Sequence, residues 1–180
     1  VTRVGRKCVA AHSADTPPVL MTLGARVDLQ GPEGERTLSV RDFFLPDGIA
    51  NTRRRPRELV IRIRIPRPSP RTRMAYVKLR QRKSIDFPLL SVAVAAEVGD
   101  GGEVEDLRGV VTALGSRPRE LTGWSEIARG ERLTPEVVDA LAQRAFAQCR
   151  PLENIIVDPE WRRAMVPVYV RRALNELLQP

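Results

Sequence analysis

Residues 74–114 read MAYVKLRQRKSIDFPLLSVAVAAEVGDGGEVEDLRGVVTAL, and the fold turns on this stretch. Met74 to Leu79 carries the pattern of a strand. Phe87 to Ala96 is uncharged, and Leu90 to Val98 has the near-continuous apolar run of a buried strand. Gly99-Asp100-Gly101-Gly102 then makes a tight turn, and a further strand runs from Val104 to Leu114. Three successive strands joined this closely predict an antiparallel sheet.

Downstream the pattern is helical. Thr134-Pro135-Glu136 places a capping hydroxyl, a proline at the first helical position and an acid in the first turn. Val138, Leu141, Ala142 and Ala145 then recur at helical spacing up to Cys149. Asp158-Pro159-Glu160 repeats the signal and opens a helix to about Leu178, with Pro167 inside it as an expected kink. Upstream, Val27 and Leu29 alternate with polar residues, as do Leu38 and Val40, around Gly31-Pro32-Glu33-Gly34. This predicts a β-hairpin. Pro17 and Pro18 start a short helical turn at Val19-Leu20-Met21, and residues 1–16 read as a loop. From Leu59 to Ile65, Ile61, Ile63 and Ile65 face one way and Arg62 and Arg64 the other, a half-exposed strand. Pro66, Pro68 and Pro70 end it and mark a boundary between lobes. The fold class is therefore α+β: residues 1–68 form one lobe, and residues 73–180 a second, in which a three-stranded antiparallel sheet packs with helices.

Composition narrows the function. With 180 residues and 42% hydrophobic content, the chain can bury a substantial core, about 70% of its unfolded surface. One histidine (His12) and two cysteines (Cys8, Cys149) exclude a two-His metal site, a disulfide scaffold or a complete zinc or cluster site within the chain. No apolar run is long enough to span a membrane and no signal peptide opens the chain. A cytoplasmic setting is expected, and a start at Val1 fits a fragment or processed piece. The net charge of +8 is uneven: residues 53–83 hold 13 basic residues and one acid, Glu58. Such a band suits a solvated or partner-facing surface, an anionic cofactor, or nucleic acid. Tyr76 is its sole aromatic, so it offers no stacking platform and nucleic acid is disfavoured.

No acid/base pair, triad or phosphate loop stands out, and no catalytic residue is assigned. Asp15 precedes Pro17 and reads as a cap for the short helix. Lys78 reads as a solvated strand residue and Cys149 as a core thiol. Cys8, beside Lys7 and Arg6 in a polar loop, reads as an incidental thiol or as one favoured to ionise. On these grounds alone the chain is a basic α+β protein, and a non-catalytic basic binding module fits it.

A resemblance goes further. KCVAAHSADTPPVLMTLGARV (7–27) resembles the second FAD-contacting segment of the flavin-carrying medium subunit of the molybdenum hydroxylases, the xanthine and carbon monoxide dehydrogenase group. GERTLSVRDFF (34–44), RPRELVIRIRIP (55–66), YVKLRQRKSIDFPLLSVAVAA (76–96) and WRRAMVPVYVRRAL (161–174) resemble later segments of that subunit, in the same order. Within the family the chain looks most like the medium subunit of 4-hydroxybenzoyl-CoA reductase, which has a Cys at the place of Cys8. The xanthine or carbon monoxide dehydrogenase type is the alternative. The resemblance implies that Asp15 binds FAD at a ribityl hydroxyl, that Lys78 stands near the isoalloxazine ring, and that Val60 packs on the flavin. It implies that Cys8 is the last ligand of the reductase's extra [4Fe–4S] cluster. It further implies partner subunits carrying the molybdenum cofactor and [2Fe–2S] clusters, and an N-terminal FAD-binding half, with the glycine-rich pyrophosphate loop, that this chain lacks.

Overall fold

The computed structural model describes residues 3–4, 7–83 and 85–178, the first pair as backbone. Arg6, read above beside Cys8, and Ser84 lie outside the described residues. In chain order the elements are β1 (Arg3–Val4), β2 (Lys7–Cys8), α1 (Thr16–Thr22), β3 (Arg26–Gly31), β4 (Gly34–Ser39), α2 (Val40–Phe43) and β5 (Leu59–Arg64). There follow β6 (Thr72–Leu79), β7 (Leu90–Val98), β8 (Val104–Thr112), β9 (Arg119–Leu121), α3 (Trp124–Ala128), α4 (Pro135–Gln148) and α5 (Pro159–Glu176).

The predicted hairpin is present. Gly31 pairs with Gly34, so the connection is the two residues Pro32 and Glu33, and Gly34 takes a positive φ of 106° that a side chain would strain. Val40 leaves the strand instead of extending it. Ser39 caps α2, its hydroxyl accepting the Asp42 N–H at 3.0 Å. β5 joins β3 on its other edge, giving the order β4-β3-β5. The pairing steps from Asp28–Arg62 to Leu29–Val60, so Ile61 is an extra residue, a β-bulge. The bulge breaks the alternation read from sequence: Val60, rather than Ile61, comes into line with Leu29. The strand is also more exposed than expected. Every residue from Leu59 to Arg64 is exposed, Leu59 at 69% and Val60 at 44%.

The second lobe holds the antiparallel sheet β6-β7-β8-β9. Its first three strands are those expected. The fourth, Arg119–Leu121, pairs with Gly109–Val111 and was missed because three residues carry no readable period. β7 is buried from Leu90 to Ala96 because both its faces are covered: α1 packs on β7 and β8, and α5 packs on β6 and β7. The main core lies between this sheet and α3–α5, with Trp124, Leu141, Val166 and Leu174 fully buried. Both caps act as predicted. The Thr134 hydroxyl accepts from Val137 N–H at 3.4 Å, and the Asp158 carboxylate from Trp161 N–H at 2.8 Å. Helix α5 runs through Pro167 without a break. The smaller core, Val27, Leu29, Val40 and Phe43, is closed by Leu20 and Met21 of α1, so this short helix touches both lobes.

Candidate functional site

Asp15 occupies the N-cap position of α1, but its side chain makes no capping bond. The carboxylate turns instead toward β6 of the other lobe. One oxygen accepts the Tyr76 hydroxyl at 2.7 Å and the other accepts Lys78 Nζ at 2.7 Å. Tyr76 and Lys78 are two apart on one strand, so they share a face. Ser91, paired with Lys78 across the β6–β7 ladder, lies 2.9 Å from the Tyr76 oxygen and donates to it, since the phenol's own proton serves Asp15. Lys78 is mostly buried and Asp15 half exposed.

Partial burial pushes the Asp15 carboxyl up, but the bonds from Lys78 and Tyr76, with the charges of Lys78 and Arg80, outweigh it and hold it below the usual carboxylate value. Burial pushes the Tyr76 phenol above its ordinary value, Ser91 opposing and Asp15 reinforcing, so Tyr76 stays a neutral donor. Val77, Arg80, Tyr169, Arg172 and the acid Glu176 line an open cleft of about 530 Å³ together with this trio. The Arg172 guanidinium lies 4.7 Å from the centre of the Tyr169 ring.

The segment leading to Asp15 is fixed to the second lobe. His12 N–H donates to Gly115 O at 2.9 Å, and His12 O accepts from Ala113 N–H and from the Thr112 hydroxyl. Its imidazole, edge-on to Phe44, is held below its ordinary value by burial, with its backbone hydrogen bond opposing. Asn154 Nδ2 donates to Val9 O at 3.0 Å.

Of the four residues singled out from sequence, the fold joins two. Asp15 and Lys78 meet, 63 positions apart. Val60 stands on β5, in the other sheet. Cys8 is in strand β2 rather than a loop and is 3% exposed. Its Sγ accepts the Ala10 N–H at 3.4 Å and lies so close to Gly48 that a Cβ there would meet it at 2.9 Å. Cys149 is a core thiol as read, its acidity lowered by burial to a pKa of about 11 against the pull of Arg119 and Arg163. Tyr76 was noted only as a lone aromatic; its i, i+2 spacing from Lys78 was the signal that both face one way. Much of the basic band is neutralised by acids. Arg55 meets Glu33, Arg64 and Arg62 meet buried Asp28, Arg71 meets Glu105, and Arg82 meets Asp86, while the band's one acid, Glu58, is taken by Arg36 from outside it.

Residues 75–177 match the family of the CO dehydrogenase flavoprotein C-terminal domain, and residues 1–68 the FAD binding domain in molybdopterin dehydrogenase. The chain belongs to the medium, FAD-binding subunits of the molybdenum hydroxylases. It is 32% identical over 161 residues to the carbon monoxide dehydrogenase medium chain of Hydrogenophaga pseudoflava, covering 89% of this chain and 55% of that one. It is 27% identical to the glyceraldehyde dehydrogenase medium chain of Sulfolobus acidocaldarius, covering 93% and 58%. The solved structure of the Hydrogenophaga carbon monoxide dehydrogenase superposes with a TM-score of 0.84 at 31% identity, over 92% of this chain and 56% of that chain. Quinoline 2-oxidoreductase from Pseudomonas putida 86 shares the fold, with a TM-score of 0.82 at 21% identity over 93% and 56%. The chain thus spans about half the length of the curated relatives it matches. Among the described residues, no helix of this medium-subunit chain is long and apolar enough to cross a membrane.

Proposed function

We propose that this chain is part of the electron-transferring flavoprotein subunit of a molybdenum hydroxylase of the carbon monoxide dehydrogenase type, in which Asp15 and Lys78 hold and tune FAD. The observation that carries the reading is the meeting of Asp15, Tyr76 and Lys78 across the two lobes. The residues present fit the cofactor. Among the described residues each Asp15 oxygen has a single side-chain donor, which leaves acceptor capacity for a ribityl hydroxyl. Lys78 Nζ spends one of its three donors on Asp15 and offers a fixed positive charge to an electron-rich ring. Val60 lies in an exposed apolar strand surface that a flavin or a covering segment would bury.

Bound FAD supplies the redox chemistry, and the protein positions and tunes it. Tyr76 and Ser91 orient the Asp15 carboxylate, Asp15 fixes the Lys78 ammonium, and the hydrogen bonds that His12 accepts from Ala113 and Thr112 and donates to Gly115 O hold the approach to Asp15. The partners are a large subunit with the molybdenum cofactor and a small [2Fe–2S] subunit. The exposed face of β5 is covered by the part of the medium subunit that the relatives have and this chain does not span. Residues 1–68 form the end of the FAD-binding domain and residues 73–180 the C-terminal lobe.

The reductase type gives Cys8 to an extra [4Fe–4S] cluster. Its thiol is covered by Gly48 and engaged by Ala10, so the hydroxylase type is preferred. In the assembled enzyme, Lys78→Ala is expected to make the flavin potential more negative, because a charge that favours the reduced ring is lost, while losing its bond to half-exposed Asp15 lowers thermal stability only slightly. An unchanged potential overturns the role of Lys78. Iron content that falls in Cys8→Ser restores the reductase type.

A further inference from the structure

Away from the Asp15 cleft, a second cavity of about 280 Å³ opens between the segment after β8 and the segment after α4. Its floor is apolar: Val111, Leu114, Leu152 and Pro46. Its rim is cationic, with Arg117, Arg119 and Arg150, and no acid among the described residues lines it. Arg119 donates to Gln148 O at 2.7 Å. Arg117 and Arg150 make no ion pair or hydrogen bond among the described residues, and neither does the hydroxyl of Ser116, a lining residue only 9% exposed. Behind the wall, the fully buried Arg162 donates to Ala113 O, Leu152 O and Asn154 Oδ1 and has no carboxylate partner among the described residues. Its uncompensated charge adds to a positive potential that the low-dielectric wall screens little.

We propose that this cleft is a binding site for a small organic carboxylate with a compact apolar body. The body rests on Leu114, Leu152 and Val111; the carboxylate takes charge-assisted bonds from Arg117 and Arg150, with Ser116 as a neutral donor. The size agrees: an apolar cavity of about 150 Å³ accepts benzene, so this cleft takes a ring and its carboxylate. Cys149, which also lines the cleft, stays a neutral thiol and adds to the apolar floor. The inference does not depend on flavin binding, because no residue of the Asp15 cleft takes part.

The test is titration of the 180-residue chain with benzoate, followed by amide NMR, with benzyl alcohol and acetate as comparisons. Benzoate is expected to shift Ser116, Leu152 and Arg150 resonances saturably, and more tightly than either comparison. Arg117→Gln and Arg150→Gln each weaken it by about tenfold, the loss of one charge-assisted bond. Gly115→Leu is the second variant. A Cβ at 115 meets only Leu152 Cδ1, at 4.0 Å, so the substitution is tolerated and its side chain fills the cleft, abolishing the shifts. No saturable shift by about 10 mM benzoate overturns the site. Equal binding of benzyl alcohol overturns the anion requirement, and equal binding of acetate overturns the apolar body.

Discussion

Gly109→Ala is expected to cost about 2–3 kcal/mol, although it adds one methyl group to the interior of a strand. Gly109 lies in β8, paired with Val94 on one side and Leu121 on the other, so its backbone cannot retreat. A Cβ placed there stands 2.3, 2.6 and 2.8 Å from three carbons of the Trp124 ring. Carbon atoms need roughly 3.5 Å or more, so the ring must move by about 1 Å. Trp124 is 1% exposed in the main core and has nowhere to go. Overpacking of this kind costs about 1–3 kcal/mol, and expelling the indole about 3–5. Replacing glycine returns about 0.5–1 kcal/mol. Thermal unfolding should fall by about 4–12 °C for a chain of this size. The control is Trp124→Leu, which removes the ring. In that background Gly109→Ala should change stability by less than about 0.5 kcal/mol, giving a coupling well above 1 kcal/mol. Urea melts of the four proteins measure it. Equal costs in both backgrounds would refute the argument that the indole sets the limit.

Other expectations follow from the same geometry. Asp15→Asn in the full subunit should weaken FAD binding by about tenfold or more, read by fluorescence titration, since a charged hydrogen-bond partner is lost; unchanged affinity counts against Asp15. Glu58 is held at about 2, chiefly by the Arg36 guanidinium against burial, with the Arg55 N–H assisting. Its contribution to stability is therefore complete above its ordinary 4.5 and lost as pH falls toward 2, and Glu58→Gln should flatten that limb of an acid denaturation curve. Arg162→Met should destabilise far more than Arg163→Met in a thermal melt. The first orphans the oxygens of Ala113, Leu152 and Asn154, whereas Arg163 mainly lies over the Phe146 ring. A thiol reagent should label neither Cys8 nor Cys149 until the chain unfolds, since both are buried.

The elements easiest to read were those with local signals: the hairpin at Gly31–Gly34, the capped starts of α4 and α5, and the apolar run of β7. What stayed hidden depends on distant partners. Cys8 looked polar from its neighbours Arg6 and Lys7, but Gly48, forty positions away, covers its thiol. The bulge at Ile61 is set by pairing with β3, which no alternation within 59–65 records. Arg162 looks like its neighbour Arg163 in WRRAM, and only the loops folded over it make it a buried clasp. Asp15 and Lys78 are ordinary residues until the fold joins them. The resemblance named both, whereas residue patterns alone gave one as a cap and the other as solvated.

Strand β5 leaves a row of unpaired backbone groups beside Leu59, Ile61, Ile63 and Ile65, which is the kind of edge that recruits a second strand from any chain nearby. Charges usually guard such edges, and Arg62 and Arg64 stand in the right places. Both are drawn onto buried Asp28, however, so part of their charge is offset by it instead of repelling a neighbour. The remaining gatekeepers are Pro66, Pro68 and Pro70, which stop a ladder from lengthening but not from starting. Handled at high concentration without its covering partner, this chain should self-associate through β5, and a single lysine at Ile63 would be the economical way to keep it in solution.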